Sequence, residues 1–194
     1  ITLNKLELLA NDPSLNEKQL IQLSEVKQSL MRMTHLNKSL LMLTRIENQQ
    51  YKQAKDVSFQ ALTTDIIDEL SDLIAFKELE VSIDEISDFQ VEMNPDLAGI
   101  LVSNLLRNAI KYTEQGGNIH ILIEENRFQV KNTAKDAIRL DPSKIFQRFH
   151  KGQQDATSTG LGLAIVKSIA ESYHLKVYYT FEEEKHCFQV LGVR

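Results

Sequence analysis

Asn104, Asn108 and Lys111 stand at i, i+4 and i+7 of one apolar-periodic stretch, so a helix through them carries all three in a single polar column. Asparagine is a mediocre helix former. Two stacked on one face suit a neutral oxygen ligand for Mg²⁺ with a lysine beside it for phosphate, although a plain solvent-facing stripe would read the same way. Gly160 and Gly162 stand directly before a second helical pattern. There, free backbone N–H groups and the helix dipole favour an anion, and glycine lets a phosphate come close to the backbone. The better-known phosphate signatures are absent. Val166 precedes Lys167-Ser168 where a Walker-type loop needs glycine, Ile165 takes the place of the third glycine of a dinucleotide fingerprint, and Asp88-Phe89 runs into Gln90.

Regular elements must hold these residues in place. Asn94-Pro95, a cap followed by a first-turn proline, opens a helix that runs to about residue 112 and stops at Gly116-Gly117. Its apolar stripe is Leu97, Ile100, Leu101, Leu105, Leu106 and Ile110. Alternating strands over 118–124 and 127–131 meet tightly at Glu125-Asn126 as a hairpin. Asp141-Pro142 opens a short helix through 149, a polar stretch covers 150–159, a helix runs to about 173, and strands over 176–181 and 186–193 close the chain. Upstream, the pattern predicts a helix over 62–77 and strands over 79–83 and 89–93. Antiparallel strands with helices on one face make an α+β fold, a two-layer α/β sandwich.

A different region precedes this one, and the reading divides the chain into 1–54 and 55–194, with the polar stretch 47–55 as the connector. Residues 14–48 predict a long helix, opened by Ser14 and Glu17 as a capping box after Pro13. Val26, Met33 and Leu40 form one apolar column, Leu36 and Leu43 another, with Leu23 and Leu30 beside them. A shorter helix over 1–10 completes a helical hairpin whose apolar seam needs further partners. A second copy would supply them as a four-helix dimer.

The chain has 194 residues with 22 basic and 27 acidic, a net charge of −5 that argues against general nucleic-acid or anionic-membrane binding. Hydrophobic residues make up 42%, enough for a core. The single cysteine, Cys187, excludes an intrachain disulfide framework and packs as a small apolar residue. No apolar run approaches the ~20 residues that cross a bilayer. The chain opens at Ile1 inside a helical pattern, which predicts a piece of something longer.

Three segments taken together resemble the catalytic ATP-binding domain of bacterial sensor histidine kinases: Asn104-Leu-Leu-Arg-Asn108-Ala-Ile-Lys111-Tyr112-Thr113, Ile145-Phe146-Gln-Arg-Phe149, and Thr159-Gly160-Leu-Gly162-Leu-Ala-Ile165-Val-Lys167. Their order and spacing match that family's N, F and second G boxes. The preceding hairpin, above all residues 40–47, resembles its dimerisation and phosphoacceptor module, so the resemblance covers nearly the whole chain.

The resemblance implies a Bergerat-type site for ATP and Mg²⁺. Asn108 would hold the metal, Asn104 would support it, Lys111 would contact the phosphates and Tyr112 would pack on the adenine. Phe149, His150 and Lys151 would open an ATP lid. Gly160 and Gly162 would cradle the phosphates, with Thr159, Leu161 and Leu163 in the same ATP-binding turn. Partners would be a second copy through the hairpin and a response-regulator receiver domain, with membrane attachment only through segments outside this chain.

The sequence departs from the family in two places. The first G box usually reads Asp-x-Gly-x-Gly, but residues 132–136 are Asn-Thr-Ala-Lys-Asp. Asn132 can still accept a hydrogen bond from the adenine amino group, without the charge. Losing that charge costs on the order of 1 kcal/mol, roughly fivefold in affinity. Ser158 similarly stands where glycine is common. In addition, the family's phosphoacceptor histidine would fall about two turns before Ile1, so this stretch alone is expected not to autophosphorylate. His35 lies on the second hairpin helix and reads as an ordinary surface or seam residue. His120, His174 and His186 lack the neighbours of a metal site. A nucleotide-blind signalling module is the alternative that the degenerate box raises. A chaperone- or topoisomerase-type ATPase would need a water-activating glutamate where Asn104 stands, and an amide cannot act as that base.

Overall fold

The computed structural model describes residues 2–12, 14–134, 138–150 and 158–192. Pro13 and Lys151, along with most of the polar stretch that follows Lys151, lie outside the described residues. Helix α1 (Thr2–Ala10) precedes the long α2 (Glu17–Glu47). The capping box of α2 is made by Asn16 and Gln19: Gln19 N–H donates to Asn16 Oδ1 at 3.0 Å and Asn16 N–H to Gln19 Oε1 at 2.9 Å. This corrects the box expected from Ser14 and Glu17. Ser14 is taken by Asp12 instead, to whose carboxylate it donates from both N and Oγ.

The two halves of α2 differ. Val26 and Met33 are exposed, whereas Leu43 and Ile46 are buried, and Leu36, Leu40 and Met42 pack against the same core. The sequence's apolar columns therefore serve two purposes. The C-terminal half docks on the rest of the molecule, whereas the first half packs on α1 and leaves Val26 and Met33 exposed.

The remaining elements are β1 (Lys55–Ser58), α3 (Phe59–Glu69), α4 (Ser71–Phe76), β2 (Glu80–Glu85), β3 (Gln90–Met93), α5 (Pro95–Tyr112), β4 (Asn118–Glu124), β5 (Arg127–Thr133), α6 (Gly162–Ser172), β6 (Lys176–Glu182) and β7 (Lys185–Leu191). Five strands form one sheet in the order β2-β4-β5-β7-β6, and β1 pairs with β3 in a small second sheet. Helices α3, α5 and α6 pack together, with α5 against β5 and α6 against β6, giving the α+β two-layer arrangement with a long helical segment before it.

Four expectations need correction. The sheet is mixed, because β2 runs parallel to β4: a crossover containing β3 and α5 returns the chain in the same direction. The stretch read as connector ends in strand β1, too short for alternation to reveal it. The single helix over 62–77 is two helices. Ser58 caps the first by accepting from Ala61 N–H, and the chain breaks at buried Leu70. Residues 141–149 form successive turns without a helix, pinned where Asp141 Oδ1 accepts from Ser143 N and Oγ. Those bonds hold the Asp141 carboxyl down at about 2.

Candidate functional site

Helix α5 places the asparagine column. Asn94 Oδ1 accepts from Leu97 N–H and Pro95 fits the first turn, while Leu97, Leu101, Leu105, Leu106 and Ile110 are essentially fully buried. With that stripe fixed against the sheet and α6, Asn104 and Asn108 sit half-buried along one edge. Asn104 donates its amide to Ile100 O at 2.8 Å. Its Oδ1 then lies against Gly162, where an added Cβ would stand only 2.9 Å away. The N-box helix and the second glycine segment are thus in contact, and glycine at 162 is what allows it.

Gly160 brings in the third segment. Its φ is +68°, and a Cβ there would come within 2.7–2.9 Å of the Phe149 and His150 backbone. Phe149 itself has φ +63° and is exposed, and His150 is half-buried. Leu161 is fully buried, so any part it takes in binding is through its backbone, whereas half-buried Leu163 packs at the edge of the core. Helix α6 starts at Gly162 with no side-chain cap, which leaves first-turn N–H groups to face an anion. Thr159 is half-buried just before this turn.

At the far end of α5, Lys111 and Tyr112 are exposed, with the Lys111 ammonium 5.3 Å from the Tyr112 ring centroid. The helix terminus is fixed by a residue that sequence reasoning missed. Lys77 Nζ donates to the carbonyls of Ile110 (2.7 Å), Lys111 (3.1 Å) and Thr113. A cation at a helix C-terminus is favourable, but nothing in the sequence links positions 77 and 111.

Asn132 is 2% exposed and lies inside strand β5, beyond the residue 131 boundary expected for it. It is directly opposite Ile119 on one side and His186 on the other. Its amide donates to Thr113 Oγ1 at 3.2 Å and to Thr133 O at 3.0 Å. His186 is buried, with Nδ1 2.9 Å from the Tyr179 hydroxyl, and that hydroxyl accepts from Leu140 N–H at 3.1 Å. Burial pushes the imidazole down and the phenol up from their ordinary values. Thr113, Tyr179 and His186 had no visible role in the sequence, because strand register sets His186 opposite Asn132 and the packed end of α5 brings Thr113 to it.

The geometry thus joins segments of the chain in two places: α5 with the Phe149–His150 turn and the glycines, and the end of α5 with strand β5. Residues 93–191 match the family described as histidine kinase-, DNA gyrase B- and HSP90-like ATPase. The chain belongs to this family. It is 32% identical to the heme sensor protein HssS of Staphylococcus epidermidis over 94% of its own length and 40% of that protein, and 35% identical to HssS of Staphylococcus aureus strain JH9 over 77% and 34%. The chain therefore spans well under half the length of these relatives. Among solved structures, the cytoplasmic segment of histidine kinase QseC superposes with a TM-score of 0.61 at 21% identity, covering 84% of this chain and 93% of that one. Histidine kinase ThkA, solved in complex with the response regulator TrrA, gives 0.64 at 19% identity over 97% and 54%. These establish an ATPase domain of the histidine kinase, gyrase B and HSP90 type, homologous to that of HssS and with the fold of the solved histidine-kinase segments, and membership implies ATP binding. Among the described residues, no helix is long and apolar enough to cross a membrane.

Proposed function

We propose that this chain is the ATP-dependent core of a protein-histidine kinase, with residues 1–54 as its dimerisation module and 55–194 as its catalytic domain. The carrying observation is the contact of Asn104 with Gly162 and of Gly160 with the Phe149–His150 backbone, which gathers the N, F and second G segments around one helix N-terminus. The donor set fits Mg²⁺–ATP. Asn108 offers a neutral oxygen, and magnesium needs only one or two protein ligands when phosphates and water supply the rest. No cluster of three acidic, histidine or cysteine residues competes for it among the described residues.

In this reading Asn108 holds the metal, which would neutralise phosphate charge, and the uncapped start of α6 with Gly160 and Gly162 binds phosphate oxygens. Lys111 adds a positive charge, Tyr112 and Asn132 receive the base, and Phe149, His150 and Lys151 begin the lid. Catalysis is positioning and charge neutralisation for in-line transfer of the γ-phosphoryl group to an imidazole nitrogen. The acceptor belongs to the first hairpin helix, upstream of this chain, and the phosphoryl group passes on to an aspartate of a response regulator. The exposed apolar residues Leu8, Leu9, Ile21, Val26 and Met33 supply the seam for a second copy. Attachment to the inner membrane is through other segments, which leaves these residues on the cytoplasmic side.

Incubating the full-length protein with γ-labelled ATP tests this. Acid-labile, base-stable phosphate on the protein, absent from Asn108→Ala, is expected. Steady release of inorganic phosphate with no phosphoprotein would contradict it.

A further inference from the structure

An asparagine at a base-recognition position has a choice that an aspartate lacks. Turned one way, its carbonyl accepts from an exocyclic amino group such as adenine carries. Turned the other way, its amide donates to an exocyclic carbonyl such as guanine carries. The surroundings of Asn132 remove that choice. Its Nδ2 lies 3.0 Å from Thr133 O, and a backbone carbonyl can only accept. Nδ2 also lies 3.2 Å from Thr113 Oγ1. The Thr113 hydroxyl has a single proton, and it is donated to Ala109 O at 2.6 Å, so Oγ1 offers Asn132 only a lone pair.

Thr113 is 1% exposed and cannot be replaced by water in this role. Gly117 completes the fit, since a Cβ there would stand 2.5 Å from Thr113 Cγ2 and 3.0 Å from Thr133 Oγ1. Reversing the Asn132 amide would set its oxygen against two acceptors and leave both donors unmatched. Asn132 Oδ1 makes no hydrogen bond among the described residues, yet none of their sealed side-chain oxygens lacks a partner. The oxygen is therefore left as an acceptor without an internal donor among the described residues, in a residue that is only 2% exposed.

Resting on the reading of Asn132 as the base-contacting residue, we infer that Thr113 is a positioning residue that locks the Asn132 amide as a one-sided acceptor, so the site selects an adenine-type amino edge over a guanine-type carbonyl edge. The neutral substitute for the family's aspartate keeps the acceptor sense of the original because a buried threonine denies it the alternative.

The test is the affinity of the full-length protein for Mg²⁺–ATP and Mg²⁺–GTP, by calorimetry, in wild type, Thr113→Val, Thr113→Ser, Asn132→Asp and Asn132→Asp/Thr113→Val. Wild type is expected to favour ATP by about tenfold or more, and Thr113→Val to narrow that preference to about threefold or less as the amide becomes free to turn. Thr113→Ser, which keeps the hydroxyl, should restore the wild-type preference. In the Asn132→Asp background Thr113→Val should leave the preference unchanged, because a carboxylate has no donor end. A preference that Thr113→Val does not alter, or alters equally in both backgrounds, would overturn the lock and leave Thr113 a purely structural role. The underlying reading fails separately if Asn132→Ala leaves ATP affinity unchanged.

Discussion

The end of the site assigned to the phosphates is made largely of backbone: Gly160 at φ +68°, Gly162 pressed on Asn104, and the uncapped start of α6. The end assigned to the base is made mostly of side chains in relay, with the Thr113 hydroxyl and the Thr133 backbone carbonyl holding Asn132, and Tyr179 holding His186 opposite it. A backbone cradle tolerates little change, because any Cβ fills it. A side-chain relay can be rewritten, and here an amide stands in for the family's aspartate. At the base end an amide can therefore take the place of the family's aspartate, whereas the phosphate end keeps Gly160 and Gly162.

The sharpest contrast should come from the phosphate end. Asn108→Ala is expected to weaken Mg²⁺–ATP binding on the order of a hundredfold or more, by loss of a metal ligand, while thermal stability barely changes. Gly160→Ala, which forces both positive φ and contact with the Phe149 and His150 backbone, should cost more than about tenfold in affinity. Gly162→Ala should cost less, because the Asn104 amide that it meets can shift. Equal, small effects of all three would erase the distinction between the two ends.

At the base end the effects should be smaller and can be favourable. Asn132→Asp adds charge assistance worth roughly fivefold in ATP affinity but sets an oxygen where Nδ2 now donates to Thr133 O and Thr113 Oγ1, so the net gain is expected to fall below roughly fivefold, as read by displacement of a fluorescent nucleotide; unchanged affinity in Asn132→Ala would mean that position 132 does not touch the base. Lys77→Met removes the ammonium from the Ile110 and Lys111 carbonyls of α5 and from that of its cap residue Thr113 and should lower unfolding free energy by ~1–2 kcal/mol, measured by denaturant titration. The smallest effect concerns His186, whose buried imidazole has its pKa lowered. The unfolded chain then takes up a proton first as pH falls, so this contribution is complete above the ordinary value of 6.5 and is lost as pH drops toward the folded-state value. The melting temperature of His186→Gln should accordingly fall less between pH 7 and pH 5 than that of the wild type.

What the sequence made legible follows the same division. The helices around Asn94-Pro95 and Gly160–Gly162 announce themselves, since caps, glycines and apolar spacing are local signals, and the α5 polar column is set by helical periodicity alone. Register is not local. Nothing near Asn132 reveals that His186 faces it or that Thr113 accepts from its amide, and the parallel pairing of β2 with β4 depends on a crossover and not on either strand. Lys77 is likewise invisible until the end of α4 is brought beneath α5. In α2 the apolar columns were plain, but not that Leu43 and Ile46 would be buried against the catalytic region while Val26 and Met33 stay exposed.

One measurement addresses the central claim directly: a calorimetric titration of this chain with ATP, with and without Mg²⁺, repeated on Asn108→Ala. Saturable, magnesium-dependent binding that disappears in the variant is the predicted result. Saturating ATP that produces neither heat nor thermal stabilisation would contradict it and return the function of the molecule to the helical hairpin.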